Sequence, residues 1–367
     1  VIRISKKVVL GMSGGVDSSV AAYLLQKQGY EVIGVTMKVW EDSKNYEQNQ
    51  GGCCSLFSVE DARRVAYKLK IPFYVMDFKD EFKDKIIGKF IKEYVKGRTP
   101  NPCIDCNKYI KFHSFLNRAL NLGADYMATG HYARIEKEDG RYIIKKGIDN
   151  KKDQSYVLYN FTQHQLKHTL LPCGGYTKDN IRKIAKTIGL EVYDKKDSEE
   201  ICFIPDNNHG KFIEKEIKKD IKAGYFINKQ GKVLGKHKGI VYYTIGQRKG
   251  LGISTGKPLY VLKINPKTNQ IVLGENEELF KNQLIAKDLN FIPFEKLSKS
   301  MEVDIKIRYT SKISRGIIIP IKNNAVIVKL FEDERAITKG QSVVFYSNDM
   351  LIGGGVIHKV IDSVKNE

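Results

Sequence analysis

Val8-Val9-Leu10-Gly11-Met12-Ser13-Gly14-Gly15-Val16-Asp17-Ser18-Ser19 is the stretch on which the rest of this chain depends. An apolar run of strand character enters a turn of small residues, and an apolar-periodic segment (Val20, Ala21, Leu24, Leu25) leaves it. A glycine loop at a strand-to-helix junction binds phosphate. Gly14 and Gly15 permit positive φ and close backbone approach, the open N–H groups and the helix dipole attract an anion, and Ser13, Ser18 and Ser19 add hydroxyl donors. The Gly-Lys-Ser/Thr ending of a Walker loop is missing, as are the spaced glycines of a dinucleotide fingerprint. A helix cap alone would use the serines, but it needs neither two glycines nor Asp17.

Ser13-Gly14-Gly15-Val16-Asp17-Ser18 resembles the S-G-G-x-D-S signature of the PP-loop ATP pyrophosphatases. That resemblance implies a loop that holds the pyrophosphate half of ATP while a substrate oxygen is adenylylated, with Asp17 managing Mg²⁺ and charge.

The chain has 367 residues, enough for two or three domains with their own cores. Lys and Arg number 62 against 42 Asp and Glu, a net charge of +20. A surplus of that size points to a polyanionic partner; solvated lysines are the bland alternative. The excess is uneven, and residues 206–276 are Lys-rich with few acids. No apolar run reaches the length of a membrane span, so no membrane partner is expected. The first strand begins within a few residues of Val1, which leaves no room for a signal peptide and makes a cytoplasmic location the expectation. Six cysteines in such a chain are not expected to form a disulfide framework, so clustered ones become candidates for chemistry or metal binding.

Outward from the loop, Glu31 to Thr36 reads as a second strand, parallel to the first. Met37, Lys38 and Trp40 follow at its carboxyl end, where open α/β sheets bind ligands. Residues 41–52 read as loop, and the adjacent Cys53 and Cys54 as structural or incidental. Ser58 with Asp61 predicts a capping box opening a helix over 59–70, followed by a strand over 72–78 and a helix over 82–95. Pro100 and Pro102 predict an extended loop, with a helix from Asn107 to about Leu122. Cys106 then sits beside a helix N-terminus, an electropositive place that favours thiolate, and Lys108 and Lys111 suit an RNA phosphate. A short strand over 125–129 leads into Gly130-His131-Tyr132, and residues 134–146 alternate across Asp139-Gly140 as a hairpin with a primed turn.

Further on, a helix is expected over 177–189 with Gly189 closing it, Cys202 in a short β-like run, and a helical stretch over 206–219. Short strands and glycines then take over. Tyr242 to Gly252 combines aromatics, Arg248 and Lys249 as an RNA-backbone surface would, and alternation from about Glu277 onward predicts a compact β-barrel. The expected architecture is α/β. A doubly wound parallel-sheet domain (1–205) precedes a small, mostly β, basic central domain (206–276) and a C-terminal β-barrel (277–367).

Five more stretches narrow the resemblance. Asn101-Pro-Cys-Ile-Asp-Cys-Asn-Lys108, Thr129-Gly-His-Tyr-Ala133, Lys152-Asp-Gln-Ser-Tyr156, Asp197-Ser-Glu-Glu-Ile-Cys-Phe203 and Tyr243-Thr-Ile-Gly-Gln-Arg-Lys-Gly-Leu-Gly252 resemble, in that order, the tRNA-specific 2-thiouridylase family over nearly the whole chain. The resemblance implies ATP-dependent transfer of sulfur to C2 of the wobble uridine in the tRNAs for Lys, Glu and Gln. A uracil oxygen is a poor leaving group and adenylylation makes it a good one. A persulfide on Cys202 then supplies sulfur, and Cys106 releases it or forms a disulfide with Cys202. ATP contacts fall on Gly11, Met12, Ser13, Gly14, Gly15, Val16, Asp17, Ser18, Met37 and Gly130, with Mg²⁺ as cofactor. The target base meets Asn101, Pro102 and Cys103. Further tRNA contacts fall on His131, Lys152, Asp153, Gln154, Arg308, Tyr309 and Gln341. A cysteine desulfurase or a sulfur-relay protein is the implied donor, and a monomer the implied state.

One departure matters. Many members carry Asp where this chain has Cys103, so Cys103, Cys106 and Cys202 form a three-thiolate set able to hold a 4Fe–4S cluster with one open iron. The persulfide relay ranks ahead of the cluster, and zinc comes a distant third because only one C-x-x-C is present. Two other classes compete: an amidating PP-loop synthetase, which offers no role for two thiols, and an RNA-binding protein with a vestigial nucleotide loop, which offers none for Asp17.

Overall fold

The computed structural model describes residues 5–40, 56–197, 201–204, 206, 208–217, 220–254 and 256–361. Cys53 and Cys54, with the whole loop expected over 41–52, lie outside the described residues. The chain divides into two compact units, one of residues 1–86, 102–207 and 349–351, the other of residues 87–101, 208–348 and 352–367.

The first unit is built on β1 (Lys7–Gly11), α1 (Val16–Lys27), β2 (Glu31–Lys38), α2 (Leu56–Lys68) and β3 (Phe73–Asp77). β4 (Tyr126–Ala128), the hairpin β5 (Ala133–Glu138) and β6 (Arg141–Lys146), and β7 (Thr169–Leu170) follow. Its parallel sheet runs β3-β2-β1-β4-β7. The chain leaves β1 toward β2 on one side and returns as β4 on the other, so the loops after β1 and β4 open side by side at the switch point. α1 is apolar on most of its surface and is buried accordingly. Val20, Ala21, Ala22 and Leu25 pack between the sheet and Ile181 and Ala185 of a later helix. Asp139 and Gly140 both have positive φ (46° and 81°), the primed turn expected of the hairpin.

Four local expectations are corrected. α2 begins at Leu56, so Ser58 lies inside the helix and is not its cap. Residues 79–95 are helical throughout, so that helix starts earlier than expected (Lys79–Phe82, π turns over Lys83–Gly88, Lys89–Val95). Pro102 does not exclude helix: it opens one, Pro102–Asp105 leading into a π stretch Cys106–Phe115 and then Leu116–Asn121. A first-turn N–H needs no partner, so proline costs nothing there. Cys202 lies in a turn, closed by the Ile204 N–H donating to Ile201 O at 2.8 Å, and not in a β-like run.

In the second unit, Phe226, Tyr243, Val261, Ile271 and Leu273 form the core of a small sheet. Its strands are β8 (Gly224–Ile227), β9 (Val233–His237), β10 (Tyr260–Asn265) and β11 (Gln270–Gly274), preceded by the helix His209–Ile217. The barrel comprises β12 (Phe280–Phe291), β13 (Met301–Lys306), β14 (Ser314–Ile321), β15 (Ala325–Arg335), β16 (Ser342–Ser347) and β17 (Met350–Ile361). Its order is β12-β15-β14-β13-β16-β17, and a β12–β17 pairing closes the circle and removes both edges. Alternation along β15 buries Val326, Val328 and Leu330 as a period of two requires.

Candidate active site

The glycine loop is pinned before any ligand arrives. Met12 N–H donates to Val35 O at 2.8 Å, and Thr36 Oγ1 donates to Met12 O at 2.8 Å, so β2 fixes the loop's entry. Ser18 and Ser19 hydroxyls donate back to Gly15 O (3.1 and 2.9 Å), and Ser18 Oγ accepts from Ser13 N–H at 3.2 Å. No side chain caps α1, whose first-turn N–H groups therefore face the loop's cradle. Gly14 has φ +68°, and a Cβ there would lie 2.2 Å from Ser58 O. Gly14→Ala should therefore cost about 2–4 kcal/mol in urea unfolding and abolish ATP binding by calorimetry. Unchanged stability would mean that the tight approach to α2 is not real.

The facing wall comes from the end of β4. A Cβ on Gly130 would lie 2.8 Å from Ser18 N and 2.9 Å from Asp17 C, so only glycine lets this turn close on the loop. The neighbouring His131 is buried, with Nδ1 2.7 Å from Thr129 Oγ1 and its ring against Phe112. Burial, then the charge of Lys111, push its pKa well below the usual value and keep it neutral.

Beneath the loop lies a chain of charges. Tyr132 donates its hydroxyl to Asp17 Oδ1 at 2.6 Å, and Lys178 Nζ donates to both Asp17 oxygens at 2.8 Å. The same ammonium pairs with Asp197 Oδ1 at 2.7 Å, and Asp197 Oδ2 accepts from Lys152 Nζ at 2.7 Å. Burial raises the Asp197 pKa, but the hydrogen bonds from Lys152 and Lys178 outweigh it and hold the carboxyl below its ordinary range. Burial, followed by the Asp17 charge, raises the Tyr132 phenol far above its ordinary value, so it stays a donor. Lys195 adds a second link, donating to Asp61 Oδ2 at 2.6 Å and to Gly14 O at 3.1 Å. The segment 195–197, which leads to Cys202, is thus tied to the glycine loop at two points.

Sequence reasoning missed Lys178, Asp197, Lys195 and the hydroxyl of Tyr132. Tyr132 and Asp197 stand inside quoted motifs without a role of their own, but Lys178 opens the helix Lys178–Thr187 behind a Thr177 cap and looks like any surface lysine at a helix start.

The other expected residues are placed as follows. Met37 is half-buried at the carboxyl end of β2. Cys106 and Cys202 are half-exposed thiols, Cys103 is an exposed one, and Cys173 is buried against Asp17 O at 3.4 Å. Because the helix begins at Pro102, Cys106 lies beyond the first turn, where the dipole has faded. Cys103, next to the true terminus, is the thiol that feels it. Among the described residues, no three His, Cys, Asp or Glu side chains gather as a metal site, so the cluster on Cys103, Cys106 and Cys202 finds no support. Asp153 accepts from Gly147 N–H and Ser155 N–H (3.1 Å each) and shapes its own turn, while Gln154 accepts from Tyr132 N–H (2.9 Å) and ties that turn to the end of β4. In the second unit, Arg308 donates to Ala336 O and to Thr338 Oγ1 (3.4 Å), Lys306 lies over the Tyr309 ring, and Gln341 Nε2 donates to Thr99 O at 2.8 Å. Asn101 belongs to that unit, Pro102 and Cys103 to the first.

Residues 6–206 match the family described as tRNA methyl transferase HUP domain. Residues 210–275 match the tRNA methyl transferase PRC-barrel domain, and 281–357 the aminomethyltransferase beta-barrel domain. A Clostridium acetobutylicum protein named tRNA-specific 2-thiouridylase MnmA is 64% identical over 353 residues, which cover 96% of this chain and 99% of that one. A Clostridium botulinum protein of the same name is 62% identical over 356 residues, 97% of this chain and 99% of its own.

Proposed function

The chain belongs to the tRNA-specific 2-thiouridylase family, and on that premise we propose that it thiolates the wobble uridine of the tRNAs for Lys, Glu and Gln through a persulfide on Cys202. It is an ATP-dependent tRNA-uridine 2-sulfurtransferase. The observation that carries the persulfide route is the tie between the glycine loop and the segment leading to Cys202, through Asp17, Lys178 and Asp197. Activation and sulfur delivery are thereby linked within one unit. An amidating synthetase would leave Cys106 and Cys202 without work.

The α1 N-terminus and the loop N–H groups hold the triphosphate while the uracil O2 attacks the α-phosphorus and pyrophosphate leaves. The outer sulfur of the Cys202 persulfide then attacks C2, and AMP departs with the former O2. Cys106 thiolate attacks Cys202 Sγ, the S–S bond to the base breaks toward the base, and a Cys106–Cys202 disulfide remains beside 2-thiouridine. A thiol reductant returns two electrons to that disulfide. Asp17, the one carboxylate of the loop, would hold Mg²⁺ through the lone pairs left beside its bonds to Tyr132 and Lys178. When bound, the ion supplies charge neutralisation on the phosphates. Lys178 orients the Asp17 carboxylate by donating to both its oxygens.

Catalysis is assigned to residues 1–205, with 206–276 and 277–367 as basic and barrel domains for tRNA. His131, Lys152, Asp153, Gln154, Arg308, Tyr309 and Gln341 are the tRNA contacts, and Asn101, Pro102 and Cys103 meet the target base. Sulfur arrives from a desulfurase or relay protein to a monomeric, cytoplasmic enzyme. No helix among the described residues is long and apolar enough to cross a membrane.

Mass spectrometry of tRNA nucleosides after incubation with ATP, Mg²⁺ and a persulfide source tests this directly. 2-Thiouridine at the wobble position of those three tRNAs is expected, and sulfur at any other base or none would overturn it. Lys152→Glu should weaken tRNA binding and lower the salt slope by about one. An unchanged slope would remove Lys152 from the interface.

A further inference from the structure

We infer that the second unit holds a phosphodiester of the tRNA backbone in a site formed by Arg98, Lys339 and His358, ringed by Lys263 and Lys359, a short step along the chain from Asn101. The inference rests on the tRNA-thiolating function proposed above and adds where a phosphate is gripped. Three pieces of chain meet there and are fixed by backbone hydrogen bonds. Thr99 N–H donates to Lys339 O at 2.9 Å, Gly340 N–H to Ile357 O at 3.0 Å, and Ile357 N–H to Gln341 O at 2.9 Å. Gly340 has φ +92°, and a Cβ on it would lie 3.1 Å from both Arg98 Cβ and Thr99 N, so the glycine lets the pieces touch.

β17 pairs with β12 through Lys359↔Ile285 and Ile357↔Ala286, which leaves His358 as the extra residue of a bulge. A bulge re-aims its side chain. His358 Nδ1 stands 3.4 Å from Arg98 Nη2, while Arg98 Nη1 is steered by Glu93 Oε2 at 3.3 Å.

Charge is crowded here, with Glu93 and Asp288 as its counter-charges. Among the described residues no carboxylate forms an ion pair with Lys263, Lys287, Lys339 or Lys359, and Glu93 is shared by Arg98 and Lys96. Burial, then Lys263, Arg98 and Lys359, lower the Lys339 pKa. Burial, then Lys287, Arg98 and Lys339, lower that of His358, with Asp288 opposing. Lys263, Lys339 and Lys359 are exposed, and Lys339 and Lys359 rise from backbone pinned by Gly340 and the bulge. An oxyanion would relieve the repulsion, and the planar fork of Arg98 suits two phosphate oxygens. Since the anion would favour the protonated imidazole, binding takes up a proton and tightens as pH falls.

The test compares full-length wild type with Lys263→Ala/Lys339→Ala/Lys359→Ala and with a charge-matched control, Lys296→Ala/Lys299→Ala/Lys322→Ala, drawn from exposed barrel lysines. Unmodified substrate tRNA is titrated by filter binding across salt concentrations, with thiolation followed in parallel. The site variant should bind about 10- to 100-fold more weakly with a salt slope smaller by about one to three. The control should keep the wild-type slope, and ATP affinity should be the same in all three. His358→Gln should remove the tightening between pH 8 and pH 6. Equal losses in the two triple variants, or an unchanged site variant, overturn the inference while wild-type thiolation still stands. Wild type that thiolates no tRNA overturns the function beneath it.

Discussion

Cys202→Ser should yield no 2-thiouridine, yet should still exchange pyrophosphate with ATP in the presence of tRNA. A serine oxygen cannot carry a persulfide, so sulfur delivery stops while adenylylation, which uses the glycine loop, continues. Cys106→Ser fails one step later. Its Cys202 persulfide can still attack C2 and expel AMP, but the Cys106 thiolate assigned to break the resulting disulfide between base and enzyme is gone. A covalent tRNA–enzyme adduct should therefore accumulate, visible on a denaturing gel and released by dithiothreitol as 2-thiouridine. Single-turnover release of 2-thiouridine without added thiol should fall by about a thousandfold or more. Both residues are half-exposed, as groups that must meet a donor and a substrate have to be. Cys173 makes the contrast: fully buried, its thiol pKa raised by burial and then by Asp17, it is no sulfur carrier. Multiple turnovers by Cys202→Ser, or a Cys106→Ser enzyme that releases product with no adduct and no added thiol, would end the relay.

How much of this was legible in the chain depends on the range of the interactions involved. The glycine loop was legible because its determinants are local: positive φ at Gly14 and the unblocked start of α1 follow from residues a few positions apart. Gly130 was legible only through resemblance. Its physical reason, the 2.8 Å approach to Ser18 N, exists only once β4 lies beside β1. The barrel strands announced themselves by alternation, but the β12–β17 closure joins the first and last of them and leaves no periodic trace. Pro102 was misread because proline is compatible with both a loop and a first helical turn, and what decides between them is the packing of Ile104, Ile110 and Phe115 further along. Lys178 was not legible at all. Its partner Asp17 is 161 positions away, and an ion pair imposes no pattern on the residues around it.

That lysine carries the other large effect. Lys178→Met should lower tRNA-dependent ATP–pyrophosphate exchange by about a hundredfold or more, because the loop aspartate loses its fixed cation and Asp17 and Asp197 are left facing each other. The ammonium is only 9% exposed, so water cannot replace it well; the carboxylates are 30% and 25% exposed, which keeps the stability loss to about 1–3 kcal/mol. Stability and catalysis are separated by pH. Asp197 has a folded pKa below its unfolded value of about 3.9, so its contribution to stability is complete above that value and is lost as pH falls through the folded one. The gap in urea unfolding between wild type and Asp197→Asn should therefore be full at neutral pH and close on acidification. With Lys178 removed, only Lys152 still holds the Asp197 carboxyl down, so the same gap should be smaller and should close at a higher pH. If Lys178→Met exchanges pyrophosphate like wild type and leaves the acid limb of Asp197 in place, the lysine is a bystander and the coupling between loop and Cys202 segment does not run through it.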